Sequence, residues 1–206
     1  MKITKSTYQL NWHALSLPQI DQIMAQMPVS GMIDTLNWPS QYPSSPVTTF
    51  TLAHTCDTLY VRFEVQGEVP LATKTEDLEH VNEDACVEIF IANADNSRYW
   101  NFEFNAAGVC NASSRKSRKE DVVRLNAVQL QSIKRFPAQL CAAHWSLLIA
   151  IPLALIEFDG NYEHVRRANF YKCGDLTPMK HYASWNPINA PAPAFHLPEF
   201  FGEIHF

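Results

Sequence analysis

Glycine, charge and long apolar runs are all scarce in this sequence of 206 residues. It contains 6 glycines against 13 prolines, and only 18% of its residues are charged, which excludes a disordered chain and a coiled coil. No apolar run approaches the ~18 residues of a membrane-spanning helix, and the N-terminus lacks the features of a secretory signal. We expect an ordered chain with little helix, located in the cytoplasm or exported with its signal trimmed.

Lysine and arginine are also fewer than aspartate and glutamate. The formal net charge is −5, which gives no electrostatic reason to expect nucleic acid or an anionic membrane as a partner. One basic run stands out, formed by Arg115, Lys116, Arg118 and Lys119 between serines. We interpret this run as a solvated hairpin loop, with contact to a polyanion as the alternative.

The cysteines do not form a recognisable ligand or disulfide pattern. Cys56, Cys86, Cys110, Cys141 and Cys173 are odd in number and irregularly spaced, without a C-x-x-C pair. No C-x-x-C-H haem motif or D-x-D-x-D-G calcium loop occurs either. We therefore expect no cofactor and no metal, and predict that most of the cysteines are buried thiols.

What the sequence has in abundance is apolar and aromatic residues, at 47% and 12%. This content can close one core over residues 1–206, so one domain is predicted. The segment Leu15–Met27 predicts a short helix. Period-two alternation predicts hairpins at 47–65 and 87–104, followed by short strands at 129–133, 145–151, 169–172, 183–185 and 202–206. The fold class is all-β, an antiparallel sandwich of jelly-roll or immunoglobulin-like type with short peripheral helices.

The same alternation separates buried from outward positions on these strands. The residues predicted to be buried are Val61, Phe63, Val87, Ile89, Phe102 and Phe104. Those predicted to share one outward polar face are Arg62, Glu64, Glu88, Asn101, Glu103 and Asn105. This face could be the wet side of a sheet, with weak pairs between Arg62 and carboxylates. It could also be a sugar site, since carboxylates and amides suit the hydroxyls of a sugar.

Aromatic side chains suited to a sugar ring are concentrated after residue 168. They include Tyr171, Trp185, Phe195 and His196, the last two in a proline-rich stretch that fixes them at low entropic cost. Trp185 fits a core position as well as a site position, whereas Phe195 favours exposure.

Four ordered blocks resemble family 9 carbohydrate-binding modules and their relatives in gut Bacteroidetes. They are the strand at 83–91, the strand at 99–108, the segment 168–175, and the stretch from Ser184 through Gly202. The resemblance implies a β-sandwich that binds glucan or xylan chain ends in modules attached to xylanases. It places Glu88 on the family's ligand glutamate, Glu103 at its arginine, and Phe195 at one of its two clamp tryptophans. Tyr171 falls near an amide contact, and 78–84 holds no tryptophan for the other half of the clamp.

We therefore predict non-catalytic carbohydrate binding, with a glycoside hydrolase as possible partner. The predicted ligand-binding residues are Arg62, Glu88, Asn101, Glu103, Tyr171, Trp185, Phe195 and His196. One alternative is a hydrolase that uses Glu88 and Glu103, which we disfavour because an open sheet face would raise neither pKa. The other is a haem-binding sandwich with histidine, methionine or lysine ligands. The sugar and the oligomeric state stay open.

Overall fold

The computed structural model describes residues 4–5, 12–158, 160–162 and 165–206, which form mainly strands. The strands are β1 (Thr4–Lys5), β2 (Gly31–Met32), β3 (Val47–His54), β4 (Thr58–Gln66), β5 (Cys86–Ala92), β6 (Tyr99–Asn105), β7 (Cys110–Arg115), β8 (Val123–Arg124), β9 (Lys134–Cys141), β10 (His144–Pro152), β11 (Val165–Gly174), β12 (His181–Ser184) and β13 (Gly202–His205). The α-helices are α1 (Leu17–Ala25) and α2 (Ala127–Ser132), and short 3₁₀ helices span Trp12–Ala14, Val81–Glu83, Leu153–Ile156 and Pro198–Phe200.

The strands form two sheets. Sheet 1 has the order β1-β3-β4-β10-β9, with β2 also paired to β3, and all its pairs are antiparallel except β1 with β3. Sheet 2 has the antiparallel order β12-β11-β5-β6-β7-β8, with β13 also paired to β11. The predicted all-β antiparallel sandwich is confirmed. None of the helices described here is long and apolar enough to span a membrane.

The core lies between the two sheets and has the composition that period-two alternation predicts. Val61, Phe63, Val87, Ile89, Phe102 and Phe104 are all at most 1% exposed, so their predicted burial is confirmed. Phe50 of sheet 1 stacks on Phe170 of sheet 2, with ring centroids 4.1 Å apart. Aromatic rings that reach across the interface add specific geometry to the hydrophobic burial.

One local prediction is wrong, and several strands were not predicted. The segment 129–133 is not a strand, because Asn126 and Gln129 form a reciprocal capping box that begins α2. The strands β7 and β9 were missed, since Cys110–Arg115 and Lys134–Cys141 are too polar to show clear alternation. The predicted helix at 15–27 is confirmed in shorter form, with Ser16 and Gln19 forming its capping box.

Neither outer face is the wet polar face expected from the sequence. On sheet 1, Ile20 and Met24 of α1 pack over Tyr60 and Leu148. On sheet 2, the chain from 185 to 201 folds across the strands, and its Phe201 packs against outward side chains such as that of Phe90. Period-two alternation shows which side a residue faces, but it does not show what covers that side. The outer faces are therefore additional layers of packing.

Candidate functional site

A cavity of about 430 Å³ remains on the outer face of sheet 2, beside the covering segment. Its lining includes four of the predicted ligand residues: Glu88, Glu103, Phe195 and His196. Its volume lies within the range of about 300–1,000 Å³ that is usual for small-molecule sites. The structure therefore brings half of the predicted set into one cavity.

Glu88 and Glu103 form the polar floor of this cavity. They are directly opposite each other on β5 and β6, a register that places two side chains on the same face at close range. Only 4% of Glu88 and 7% of Glu103 is exposed. The sequence predicted outward carboxylates, but it did not predict that the covering segment would bury them.

Both floor carboxyls are hard to ionise. Burial raises the pKa of Glu88 well above its usual value, and the neighbouring Cys173 and Glu103 raise it further. Burial also raises the pKa of Glu103, although the hydrogen bond from Asn111 and the charge of Arg115 oppose that rise. The expectation that nothing would raise these pKa values is wrong, because the face is not open.

Glu103 is held in place by amide donors. Asn101 Nδ2 donates to its Oε1 at 2.8 Å, and Asn111 Nδ2 donates to its Oε2 at 3.1 Å. Ser113 Oγ in turn donates to Asn101 Oδ1 at 2.7 Å. Asn101 is fully buried behind Glu103, so its geometry suits positioning of the carboxylate. The position of Asn101 does not support the prediction that this residue contacts the ligand directly.

Phe195 forms an aromatic wall with Tyr171 behind it. Their rings stack with centroids 4.2 Å apart and planes at 10°, and the Tyr171 hydroxyl donates to the Phe195 carbonyl at 3.2 Å. Tyr171 is fully buried and belongs to the support of the wall. Phe195 lines the cavity itself. This is the side chain placed to contact the apolar face of a sugar ring.

His196 extends the wall as a neutral polar group. Its Nδ1 lies 3.0 Å from the Tyr99 hydroxyl, and its ring lies 4.7 Å from that of Phe90. Burial, assisted by the charges of Arg115 and Arg118, lowers the pKa of His196 to about 3. The imidazole is therefore uncharged near neutral pH and can exchange hydrogen bonds with a neutral ligand.

The basic run also takes part in this cavity. Arg115, Arg118 and Lys119 line it, while the neighbouring Lys116 does not. The run does end a strand and begin the loop toward β8, as the hairpin interpretation expected. The interpretation is confirmed, since Lys116, Arg118 and Lys119 are exposed on this hairpin, and the structure adds that three cations of the run line the cavity.

Two predicted ligand residues lie elsewhere. Arg62 is on the outer face of sheet 1, where Nε bonds Asp21 Oδ1 at 2.8 Å and Nη1 bonds Glu64 Oε2 at 2.7 Å. Trp185 is partly buried and packs against the core, with its ring centroid 5.8 Å from that of Phe170. Period-two reasoning assigned Arg62 to the wrong sheet, because a strand's facing pattern does not say which sheet contains it. Neither residue contacts the cavity.

Several lining residues were missed by sequence reasoning. Asn111 lies opposite Glu103 in the β6–β7 register. The turn at 106–108 joins these two strands, so this turn is the sequence feature that could have predicted the pairing. Asp175 follows β11 and accepts hydrogen bonds from Asn82 Nδ2, at 2.9 Å, and from the Tyr182 hydroxyl. The segment 168–175 contained Asp175, but nothing in the sequence showed that Asn82 would meet it across 93 positions.

A thiol pair borders the floor and gives the one buried cluster of metal-ligand type found among the described residues. The ligand atoms of Cys86, Glu88 and Cys173 lie within 4.8 Å of one another. Cys173 Sγ donates to Glu88 Oε1 at 3.2 Å, and burial raises the pKa of Cys86 to about 11. The thiols are thus protonated and bonded within the protein.

A second cavity of about 390 Å³ lies over sheet 1, between the strands and the start of α1. Trp12 and Tyr60 give it an aromatic lining, with ring centroids 5.0 Å apart. Of its described lining residues none is acidic. It offers stacking surface without the carboxyl groups that bind sugar hydroxyls, so the cavity over Glu88 and Glu103 is the better candidate.

The model of carbohydrate-binding family 9 matches residues 18–206. A candidate carbohydrate-binding protein from Bacteroides uniformis ATCC 8492 is 27% identical, with a TM-score of 0.88 over 100% of this chain and 98% of that one. A family 9 module from Caldicellulosiruptor kristjanssonii, solved with glucose, is 12% identical, with a TM-score of 0.59 over 100% and 94% of the chains. A family 9 module from the same organism, solved with cellotriose, is 13% identical, with a TM-score of 0.65 over 100% of this chain and 93% of that one. At such low identity these two show the shared fold. No curated protein matches the chain.

Proposed function

The chain belongs to carbohydrate-binding family 9, and we propose that it receives the end of a saccharide in the cavity over Glu88 and Glu103. The observation that carries this proposal is the meeting of two carboxyl groups and one aromatic wall in a single cavity. Sugars require both features, because their edges carry hydroxyls and their faces carry apolar C–H groups. Family 9 modules that share this fold have been solved in complex with glucose and with cellotriose, which supports a saccharide as ligand.

The floor offers both kinds of hydrogen bond to a sugar. A protonated carboxyl donates one hydrogen bond and still accepts others, whereas an ionised one only accepts. The raised pKa of Glu88, caused first by burial, favours the protonated form. Glu103 already has amide donors on both oxygens, yet each carboxylate oxygen can accept more than one bond. The pair therefore suits two neighbouring sugar hydroxyls.

We propose further that the chain alone cleaves no glycosidic bond. Hydrolysis requires two carboxyl groups that flank the scissile bond and whose pKa values are pushed apart. Glu88 and Glu103 instead lie side by side on one floor, and burial raises the pKa of both. A sugar would rest on the pair from one side. The haem alternative has no support from the comparisons.

Calorimetric titration with cellobiose and cellotriose tests the binding proposal. Glu88→Ala should weaken binding roughly ten- to hundredfold, since hydrogen bonds in such sites are worth about 1–3 kcal/mol. The matched control is Glu64→Ala, which removes a glutamate from the outer face of the other sheet. Unchanged affinity in Glu88→Ala, or an equal loss in Glu64→Ala, would refute the assignment.

Release of reducing sugar from xylan or glucan by the pure protein tests the second proposal. We expect none above the level of a buffer blank. Release that disappears in Glu103→Gln would contradict the proposal and make the chain a hydrolase.

A further inference from the structure

The cavity has a cationic wall beside its carboxyl floor, and two cations of that wall form no ion pair with a described residue. Arg115, Arg118 and Lys119 border one side. In the part of the chain that the structure describes, no ion pair joins Arg118 or Lys119 to a carboxylate, whereas the neighbouring Lys116 lies 3.9 Å from Asp121. These two exposed cations beside the cavity therefore have charge available for a ligand.

The acidic groups of the cavity accept their hydrogen bonds from neutral donors. Glu103 accepts hydrogen bonds from two asparagines, Glu88 accepts one from Cys173, and Asp175 accepts from Asn82 and Tyr182. Burial also favours the uncharged form of Glu88. With Glu88 in its uncharged form, Glu103 and Asp175 bring at most two negative charges against the three positive charges of Arg115, Arg118 and Lys119, so the lining has an excess of positive charge.

Arg115 connects that wall to the sheet. Its Nε bonds Ser113 Oγ at 3.2 Å, and its Nη1 donates to the Arg118 carbonyl at 3.1 Å, which fixes the loop that carries Arg118. The charges of Arg115 and Arg118 reach the opposite wall, where they help to lower the pKa of His196. The cations are therefore part of the cavity's electrostatics.

We propose that the preferred ligand is an acidic saccharide whose carboxylate or sulfate group lies against Arg118 and Lys119. This inference rests on the proposed function, because it assigns a ligand class to the same cavity. Glu88 and Glu103 bind hydroxyls, Phe195 contacts the ring, and the cationic wall binds the anionic substituent. Guanidinium and ammonium groups bind carboxylate and sulfate oxygens through charge-assisted hydrogen bonds.

Matched pairs of saccharides provide the test. Calorimetric titration would compare three pairs of disaccharides. The first pair ends in glucose or glucuronic acid, the second in galactose or galacturonic acid, and the third in galactose or galactose 6-sulfate. The uronic acid and sulfate arms separate the two sources of negative charge. We expect at least one acidic member to bind roughly tenfold more tightly than its neutral partner, with a preference that shrinks at 0.5 M NaCl.

Variants assign the preference to the wall. The double variant Arg118→Ala/Lys119→Ala should lose most of the tenfold preference for the acidic member. Lys116→Ala is the matched control, since it removes a cation from the same loop outside the cavity, and it should keep the preference. All three positions are on a loop, and melting curves check that the variants stay folded.

The outcomes separate this inference from the proposed function. Equal binding of neutral and acidic members, with a loss in Glu88→Ala, overturns the acidic ligand and keeps the sugar site. A preference that survives in the double variant also overturns it. Binding of neither member in any pair overturns both proposals, and binding of single-stranded nucleic acid in place of saccharides would identify the wall as a phosphate site.

Discussion

The outer faces of the two sheets bury charged groups in opposite ways. Over sheet 1, Arg62 lies between Asp21 and Glu64, so each carboxylate is paired with a buried cation. Over sheet 2, Glu88 and Glu103 lie opposite each other with thiol and amide neighbours, and a cavity opens above them. The two faces are alike in sequence pattern and differ in what satisfies their charges.

The difference shows how a structural ion pair can be told from a binding site. Hydrogen bonds from Arg62 and His144 outweigh the effect of burial on Glu64 and lower its pKa, as expected for a partnered carboxylate. Burial raises the pKa of Glu88, whose hydrogen bond comes from the neutral thiol of Cys173. Ionisable groups that are buried, imperfectly satisfied and next to a cavity are the ones placed to bind a ligand.

The largest expected effect concerns the ion pairs of Arg62 on the outer face of sheet 1. Arg62→Met leaves the buried Asp21 without its cation, and loss of one partner from a buried pair costs about 3 kcal/mol or more. The free energy of unfolding, measured with urea, should fall by that amount. Affinity for saccharide should not change, because Arg62 lies over the other sheet. Loss of binding by a folded Arg62→Met protein would break the comparison.

Trp185 and Phe195, two aromatic residues of the C-terminal third, should behave differently. Trp185→Ala removes a ring that packs on Phe170 and lies so near Gly202 that a Cβ there would be 2.7 Å from it. We expect a loss of stability of about 2–3 kcal/mol, somewhat below the range for fully buried rings, and unchanged affinity. A melting curve and a titration check both.

Phe195→Ala should show the converse pattern on sheet 2. It removes the aromatic surface of the cavity, and we expect affinity for saccharide to fall about tenfold, which corresponds to roughly 1.4 kcal/mol. Stability should change less, because Phe195 is only partly buried. An affinity equal to that of the unaltered protein would show that the wall does not contact the sugar.

The pH dependence of stability should have opposite signs on the two faces. The folded pKa of Glu88 is raised, so its contribution is present below the ordinary value of about 4.5 and is lost as pH rises through the raised pKa. The folded pKa of Glu64 is lowered, so its contribution is present above about 4.5 and is lost as pH falls through the lowered pKa. In melting curves between pH 3 and 9, Glu88→Gln should become more stable relative to the unaltered protein as pH rises. Glu64→Gln should lose the part of the decrease in stability at acid pH that protonation of Glu64 causes. The same sign for both would contradict the account.

The sequence predicted the fold class and the buried sides of β4, β5 and β6, but it predicted only part of the site. Alternation at Val61, Ile89 and Phe102 follows from the geometry of a strand and holds wherever one face meets a core. It could not place Arg62, because two strands with the same alternation can belong to different sheets. It also could not show that Phe201 and its segment cover sheet 2, since that contact joins distant parts of the chain.

The most direct measurement is a crystal structure of the protein with its tightest-binding saccharide. The account predicts that the sugar lies over Glu88 and Glu103, with hydroxyls within about 3.2 Å of their carboxyl oxygens and a ring face toward Phe195. A sugar bound in the other aromatic cavity, between Trp12 and Tyr60, would contradict it, because that site has no carboxyl floor among its described lining residues.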